Sequence, residues 1–405
     1  MSANRPASLG AAAAVRPLRQ PVQLPWQTLT TISVLLVIAG AIAFFVGLHE
    51  GVQSRVWESY LVNLLYFLGI AQSGIVLAAT FYLTQGRWAG AGQYRIAEAF
   101  FWFLPVGFVL FWGLYFGRDH IFPWVLHPVL RKEDWLNAPF LFARDGIGLF
   151  VMTVLSWWFV RASRRADVRK WVATTETINL PPPIMRRLSP AVAICFVLVY
   201  SLLGFDLVMS LSPLWRNSLF GAFFFVSVFW SGLTTIALTA VMFRQALGAG
   251  NLFSDRKIVH DFGKLVFAFM VFWVYLLFAQ YIVIWYADLP VETFFVAVRV
   301  NYLPWAVWSW AAVTLVGIIP FFVLLGARPK RTPVILGTVS LLGMIGIWVL
   351  YYDLVVPSLS PRIVPCGWLE LFITAGFVGA FALCSIPGLK RLAEAMVGGQ
   401  IGEER

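Results

Sequence analysis

Ten stretches of the chain are apolar almost without interruption, and short polar segments separate them. A helix rises about 1.5 Å per residue, so about 20 apolar residues cross a ~30 Å hydrocarbon core. The pattern therefore predicts transmembrane helices at 29–48, 59–84, 97–116, 141–160, 190–211, 218–243, 263–286, 302–325, 334–351 and 367–386. Continuous runs favour helices over the short alternating segments of a barrel. The predicted fold class is an all-α membrane protein with ten transmembrane helices. A tail (1–28) precedes the transmembrane domain (29–386), and a second tail (387–405) follows it.

The polar segments orient this array. With the N-terminus inside, 22 of the 30 Lys and Arg residues fall in tails and inner loops, and 8 fall outside. The loop between helices 4 and 5 alone holds Arg161, Arg164, Arg165, Arg169, Lys170, Arg186 and Arg187, beside the stiff Pro181-Pro182-Pro183. Cytoplasmic loops carry such an excess, so both termini are expected in the cytoplasm of a bacterial cell with the chain in its inner (plasma) membrane.

An echo links two outer ends. Asp206-Leu207-Val208-Met209-Ser210-Leu211-Ser212-Pro213 closes helix 5, and Asp353-Leu354-Val355-Val356-Pro357-Ser358-Leu359-Ser360-Pro361 closes helix 9. An offset of four helices keeps the two segments parallel. It suggests two four-helix bundles, helices 2–5 and 6–9, with helices 1 and 10 peripheral. Chance recurrence in a biased composition is the competing reading.

Composition strengthens the membrane assignment. The chain is 60% hydrophobic and 12% charged, with 36 Phe and 19 Trp, against about a quarter charged in soluble domains. A net charge of +11 could suit nucleic acid, but its confinement to short loops makes it a determinant of topology. Metal and redox chemistry find few ligands. The four His residues (49, 120, 127, 260) sit at or beyond helix ends, so no paired membrane histidines stand ready for haem b. Cys195, Cys366 and Cys384 form no cluster motif, and no P-loop occurs. No metal or redox cofactor is expected on this chain.

Ionisable groups within the bilayer are costly, so each is a functional candidate. Asp206 lies two turns inside helix 5, with Ser210 one turn on. Asp353 is expected to end helix 9, and Glu370 to open helix 10 at the same surface. Asp145 reads best as a local partner of Arg144 or as an acid at a helix N-terminus, and Glu98 as a solvated end residue near Arg95. On helix 7, His260, Asp261 and Lys264 guard the inner end. Lys264, Tyr275 and Tyr286 follow at eleven-residue steps on one face, with Gln280 on another. They could form a proton half-path, or Lys264 could simply snorkel to the interface. The helix 2 stripe of Asn63, Tyr66, Ser73, Thr80 and Thr84 reads best as interhelical hydrogen bonding. His120 and Asp145 are weak candidates for a quinone site in an outer pocket.

The run His260-Asp261-Phe262-Gly263-Lys264, then Phe272-Trp273-Val274-Tyr275, Gln280-Tyr281 and Ile284-Trp285-Tyr286-Ala287-Asp288-Leu289-Pro290-Val291-Glu292-Thr293, resembles the alternative complex III family. The match is to its second NrfD-like, polysulfide-reductase-anchor-like membrane subunit (ActF-like). The segment 205–215 resembles it too. The resemblance implies a ten-helix, cofactor-free subunit of a bacterial quinol:electron-acceptor oxidoreductase. It implies menaquinol or another quinol in the complex, with haem c and iron–sulfur clusters in partner subunits. The implied partners are a second NrfD-like membrane subunit, multihaem and monohaem cytochromes c, and an iron–sulfur/molybdopterin-like subunit. It implies a proton-conducting role in which Asp206 matches the usual helix 5 acid, and His260 and Lys264 the basic start of helix 7. Asp288 departs from the Asn expected in relatives. Two alternatives stand beside this: a secondary transporter, and a quinol-oxidising anchor with its own quinone site. Transporters typically break helices at the midplane, whereas the prolines here cluster at helix ends, apart mainly from Pro105 and Pro320.

Overall fold

The computed structural model describes residues 25–166, 181–247 and 256–403. The expected N-terminal tail to residue 24 and the loop residues Arg169 and Lys170 lie outside the described residues. Ten helices are long and apolar enough to span a membrane: α1 (Trp26–His49), α2 (Gln53–Leu83), α3 (Gly92–Ile121), α4 (Ala138–Arg165), α5 (Pro183–Leu211), α6 (Phe220–Phe243), α7 (Lys257–Ala287), α8 (Trp305–Leu325), α9 (Pro333–Leu359) and α10 (Trp368–Glu394). Among the described residues there is no strand.

Proline and capping chemistry set several starts. Asn137 accepts from the Phe140 N–H at the head of α4, satisfying a donor that has no intrahelical partner. Prolines stand in the first turn of α4, α5 and α9, where a missing N–H costs nothing. Inside helices, proline has the opposite effect. Pro320 follows a widened π turn at Thr314–Ile318 in α8, and Pro105 follows a tight turn at Phe100–Trp102 in α3. Each relieves a carbonyl that the proline ring would otherwise strike.

Burial defines the centre. The most apolar window of α2 is 100% buried and that of α6 is 83% buried, against 22% for α1. The two central helices cross closely: a Cβ on Gly232 of α6 would stand 2.1 Å from Ser73 Cβ of α2. Around them, α2 packs on α3, α5, α9 and α10, and α6 packs on α5, α7 and α9. Further contacts run α3 to α4, α4 to α5, α7 to α8 and α8 to α9. α1 runs along α10, where a Cβ on Gly40 would meet Gly376 Cα at 2.5 Å. Such small-residue seams let helices approach without side chains between them.

Most helices begin or end several residues outside the expected spans, and three differences change the reading. α9 continues to Leu359, so Asp353 lies within the helix and does not end it. Tyr351-Tyr352-Asp353 has the composition of a membrane interface, but neighbouring helices bury all three. The last helix continues past 386 to Glu403. A short helix, Pro290–Val300, precedes α8 where the hydropathy pattern gives a loop. Asp288 turns the chain toward it with φ of 44°, a left-handed conformation that Asp and Asn tolerate better than most residues.

Candidate functional site

At the predicted outer face, the wall of α5 opens into a π turn over Gly204–Val208, a bulge common where a side chain must be re-aimed. It carries Asp206, which is fully buried. Arg144 at the head of α4 grips that carboxylate from both sides, Nε to Oδ2 at 2.6 Å and Nη2 to Oδ1 at 2.5 Å. The guanidinium also donates to the Trp135 carbonyl at 3.2 Å and lies 3.9 Å from the Trp135 ring centroid. Trp135 Nε1 donates to Asp206 Oδ1 at 3.1 Å. Ser210 donates to the Asp206 backbone carbonyl. A planar, bidentate, stacked arginine is the geometry best suited to hold a desolvated carboxylate.

Arg144 was expected to pair with Asp145; its partner is Asp206. Sequence neighbours on a helix point about 100° apart and do not face each other. Asp145 is fully buried, lies within hydrogen-bond reach of the Asp206 carboxyl, and receives no donor from any other group. One guanidinium therefore faces two carboxyl groups.

The opposite face holds another buried acid. Glu98 is 1% exposed and so is not the solvated end residue that sequence suggests. Arg95 donates to its Oε2 at 2.7 Å, Ser163 of α4 donates to its Oε1, and Tyr82 of α2 meets Ser163 at 3.1 Å. Between the two faces, Gln72 of α2 donates to Ser156 of α4 at 3.0 Å. Asp145, Ser156 and Ser163 follow at steps of eleven and seven residues, so all three share one face of α4.

The α7 candidates do not form such a line. Lys264 is paired with Asp261 at 2.9 Å in an exposed position. Tyr275 is 61% and Tyr286 86% exposed: the shared face points away from the bundle. His260 has its Nδ1 buried without a partner. Gln280 is buried and accepts from Asn217 at 2.8 Å. His120 is exposed in the last turn of α3, where the sequence puts an outer loop, and no hydrogen bond joins it to buried Asp145. The α2 stripe does link helices: Asn63 donates to Thr374 at 3.0 Å, Tyr66 to the Met344 carbonyl at 2.9 Å, and Ser73 to the Val228 carbonyl at 2.7 Å. Thr80 and Thr84 bond only within α2.

The second echo segment builds its own cluster at the predicted outer face. Asp353 is buried, and Ser309 of α8 donates to its Oδ2 at 2.8 Å. Arg299 of the short helix points its donors at backbone: the carbonyls of Asp353 at 2.8 Å, Phe295 at 2.9 Å and Leu354 at 2.9 Å, with Ser358 Oγ at 2.8 Å. Burial pulls this guanidinium down to about 10, against the opposing charge of Asp353, so it stays charged at neutral pH. Ser212 donates to Ser358 at 3.1 Å, so the two echo segments touch. Nearby, Arg55 grips Glu370 with two 3.0 Å bonds, and Ser360 donates to buried Glu58 at 3.0 Å.

Glu58 and Arg299 escape the sequence reading because both fall in segments taken for loops by hydropathy. The Arg55/Glu58 spacing of three and the Phe295/Val298 spacing of three are the helical signals that mark them. Among the described residues, no three His, Cys, Asp or Glu side chains stand together as a metal site.

No curated protein matches this chain. The family described as "Polysulphide reductase, NrfD" matches residues 47–360, a span from the end of α1 through α9 that includes Asp145, Asp206 and Asp353. The chain belongs to the NrfD polysulphide reductase family.

Proposed function

We propose that this protein is the integral membrane subunit of a quinol:electron-acceptor oxidoreductase of the alternative complex III type, in a bacterial inner membrane. In this reading it holds partner subunits that carry haem c and iron–sulfur clusters, pairs with a second NrfD-like membrane subunit, and conducts protons. Helices α2–α5 and α6–α9 act as two bundles, with α1 and α10 outside them, and the termini face the cytoplasm.

The observation that carries the proton-conducting role is the polar seam between α2 and α4. It begins at Glu98, Ser163 and Tyr82, passes Gln72 and Ser156, and ends at Asp145 and Asp206. Along α4 the steps are about 10 Å and about 16 Å at 1.5 Å per residue, longer than a hydrogen bond, so water completes the route. At the outer end one carboxyl holds Arg144 while the other has no donor. A proton can then pass between two groups of unlike environment without a new charge entering the bilayer. This route keeps Asp206 from the sequence candidates and runs inside the first bundle, without the half-path along α7 that the sequence also offers.

Purification of the tagged chain in mild detergent tests the assembly. Co-purifying c-type haem, with an iron–sulfur subunit found by mass spectrometry, is the expected result; a lone, colourless protein overturns it. In the assembled complex, Asp206→Asn is expected to leave the subunits together and lower the protons moved per electron. An unchanged ratio removes Asp206 from the route.

A further inference from the structure

A cavity of about 450 Å³ lies among α6–α9 and the Pro290–Val300 helix, on the side of the molecule away from the polar seam. We infer that it binds the ring of a hydroquinone, entering from the lipid, with a ring hydroxyl donating to Asp353 Oδ1.

Four observations carry this. The walls are aromatic: Trp215 and Phe295 stack at 3.6 Å with 3° between planes, and Phe223 and Trp273 face the same space. The mouth is formed by Phe278, Tyr281 and Trp310, all of which are exposed on the outside of the bundle, so the opening faces the bilayer. The floor holds an unused acceptor, because Asp353 Oδ1 is buried without a partner while Ser309 occupies Oδ2. An unused donor belongs to the wall, because Trp215 Nε1 is buried without an acceptor. An unsatisfied buried polar group destabilises the fold, and a ligand that pairs with it removes that cost.

These features select the ligand. The volume falls within the range of about 300–1,000 Å³ usual for small-molecule sites. An acyl chain would fill the space but leave both Asp353 and Trp215 unpaired. A lipid phosphate would meet a carboxyl, and Arg299, the one basic residue among the described residues lining the cavity, has its donors turned to carbonyls. A flat ring with one hydroxyl to give and a second oxygen to accept satisfies both groups and packs against the aromatic walls. The carboxylate needs a donor, so the hydroquinone binds more tightly than the quinone. Asp353 lies six residues from the end of α9, about 9 Å deep at 1.5 Å per residue, a depth that a ring on an isoprenoid tail reaches from the lipid. The choice of a quinol over other hydroxylated rings rests on the proposed function; the cavity and its unpaired groups do not.

The test uses the full chain in lipid nanodiscs and a hydroquinone whose short isoprenoid tail carries a diazirine. Under anaerobic illumination, labelling is expected to saturate and to map by mass spectrometry to α7 and α8. Asp353→Asn should weaken it at least tenfold, and Val313→Trp, which fills the mouth from α8, should abolish it. The oxidised probe should label less. Labelling that is non-saturable, that maps to α2–α5, or that survives both substitutions overturns the inference. Because the isolated chain is used, the result stands apart from whether haem-bearing partners co-purify.

Discussion

Asp206 and Arg144 show how far single residues can be read from sequence. An acid two turns inside an apolar helix is legible, because the bilayer makes it expensive. Its partner is not, because Arg144 lies 62 positions away and sequence offers Asp145 beside it. The same holds for Glu98, whose burial depends on Ser163 of another helix. The pairing has a stability consequence. Removing one member of a buried ion pair typically costs about 3–5 kcal/mol, while replacing both with apolar groups is often neutral. Arg144→Leu, which leaves Asp206 and Asp145 facing each other without a cation, should destabilise the protein by about 3 kcal/mol. The double variant Arg144→Leu/Asp206→Leu should recover at least half of that. Denaturant unfolding of the three proteins in mixed micelles measures the coupling; additive losses would mean that the pair contributes no mutual stabilisation.

At the scale of helices, hydropathy finds the number and type of elements, because ten long apolar runs admit few alternatives. It fails where composition and burial part company. Tyr351-Tyr352-Asp353 has interface chemistry but lies inside the molecule, so the predicted end of helix 9 falls short by two turns. Periodicity has a related blind spot. It puts Lys264, Tyr275 and Tyr286 on one face of α7 but cannot say which face turns inward. What sequence does not show at all is contact between helices distant in the chain, such as α1 with α10. That seam rests on Gly40 and Gly376, whose backbones meet where any side chain would collide. Gly40→Leu should lower the thermal midpoint of the purified protein, since overpacking a tight contact costs about 1–3 kcal/mol. Ile42→Leu, on the exposed face of the same helix, should leave the midpoint unchanged. Equal midpoints for the two variants would show that the α1–α10 contact does not hold the fold together.

For the molecule as a whole, the two echo segments place their acids differently near one another. In the first, Arg144 grips the Asp206 carboxylate, and Ser156 and Ser163 follow Asp145 along one face of α4. In the second, Arg299 grips the backbone at Asp353 and leaves that carboxylate facing an aromatic cavity. In the proposed reading one half moves charge and the other holds a ring, and Ser212 and Ser358 join the two segments. Both assignments require the predicted outer face to be the extracytoplasmic one, which rests on the 22-to-8 division of basic residues. Cys366 supplies a reporter: it is exposed and lies between α9 and α10 on that surface. Thr332, exposed between α8 and α9, lies on the other. With the chain expressed in intact cells without its partners, a membrane-impermeant maleimide should label Cys366 directly. In the Cys366→Ser background, Thr332→Cys should label only after the membrane is permeabilised. The reverse pattern would turn the protein over. The Asp206 cluster would then face the cytoplasm, and protons released there could not add to the gradient across the membrane.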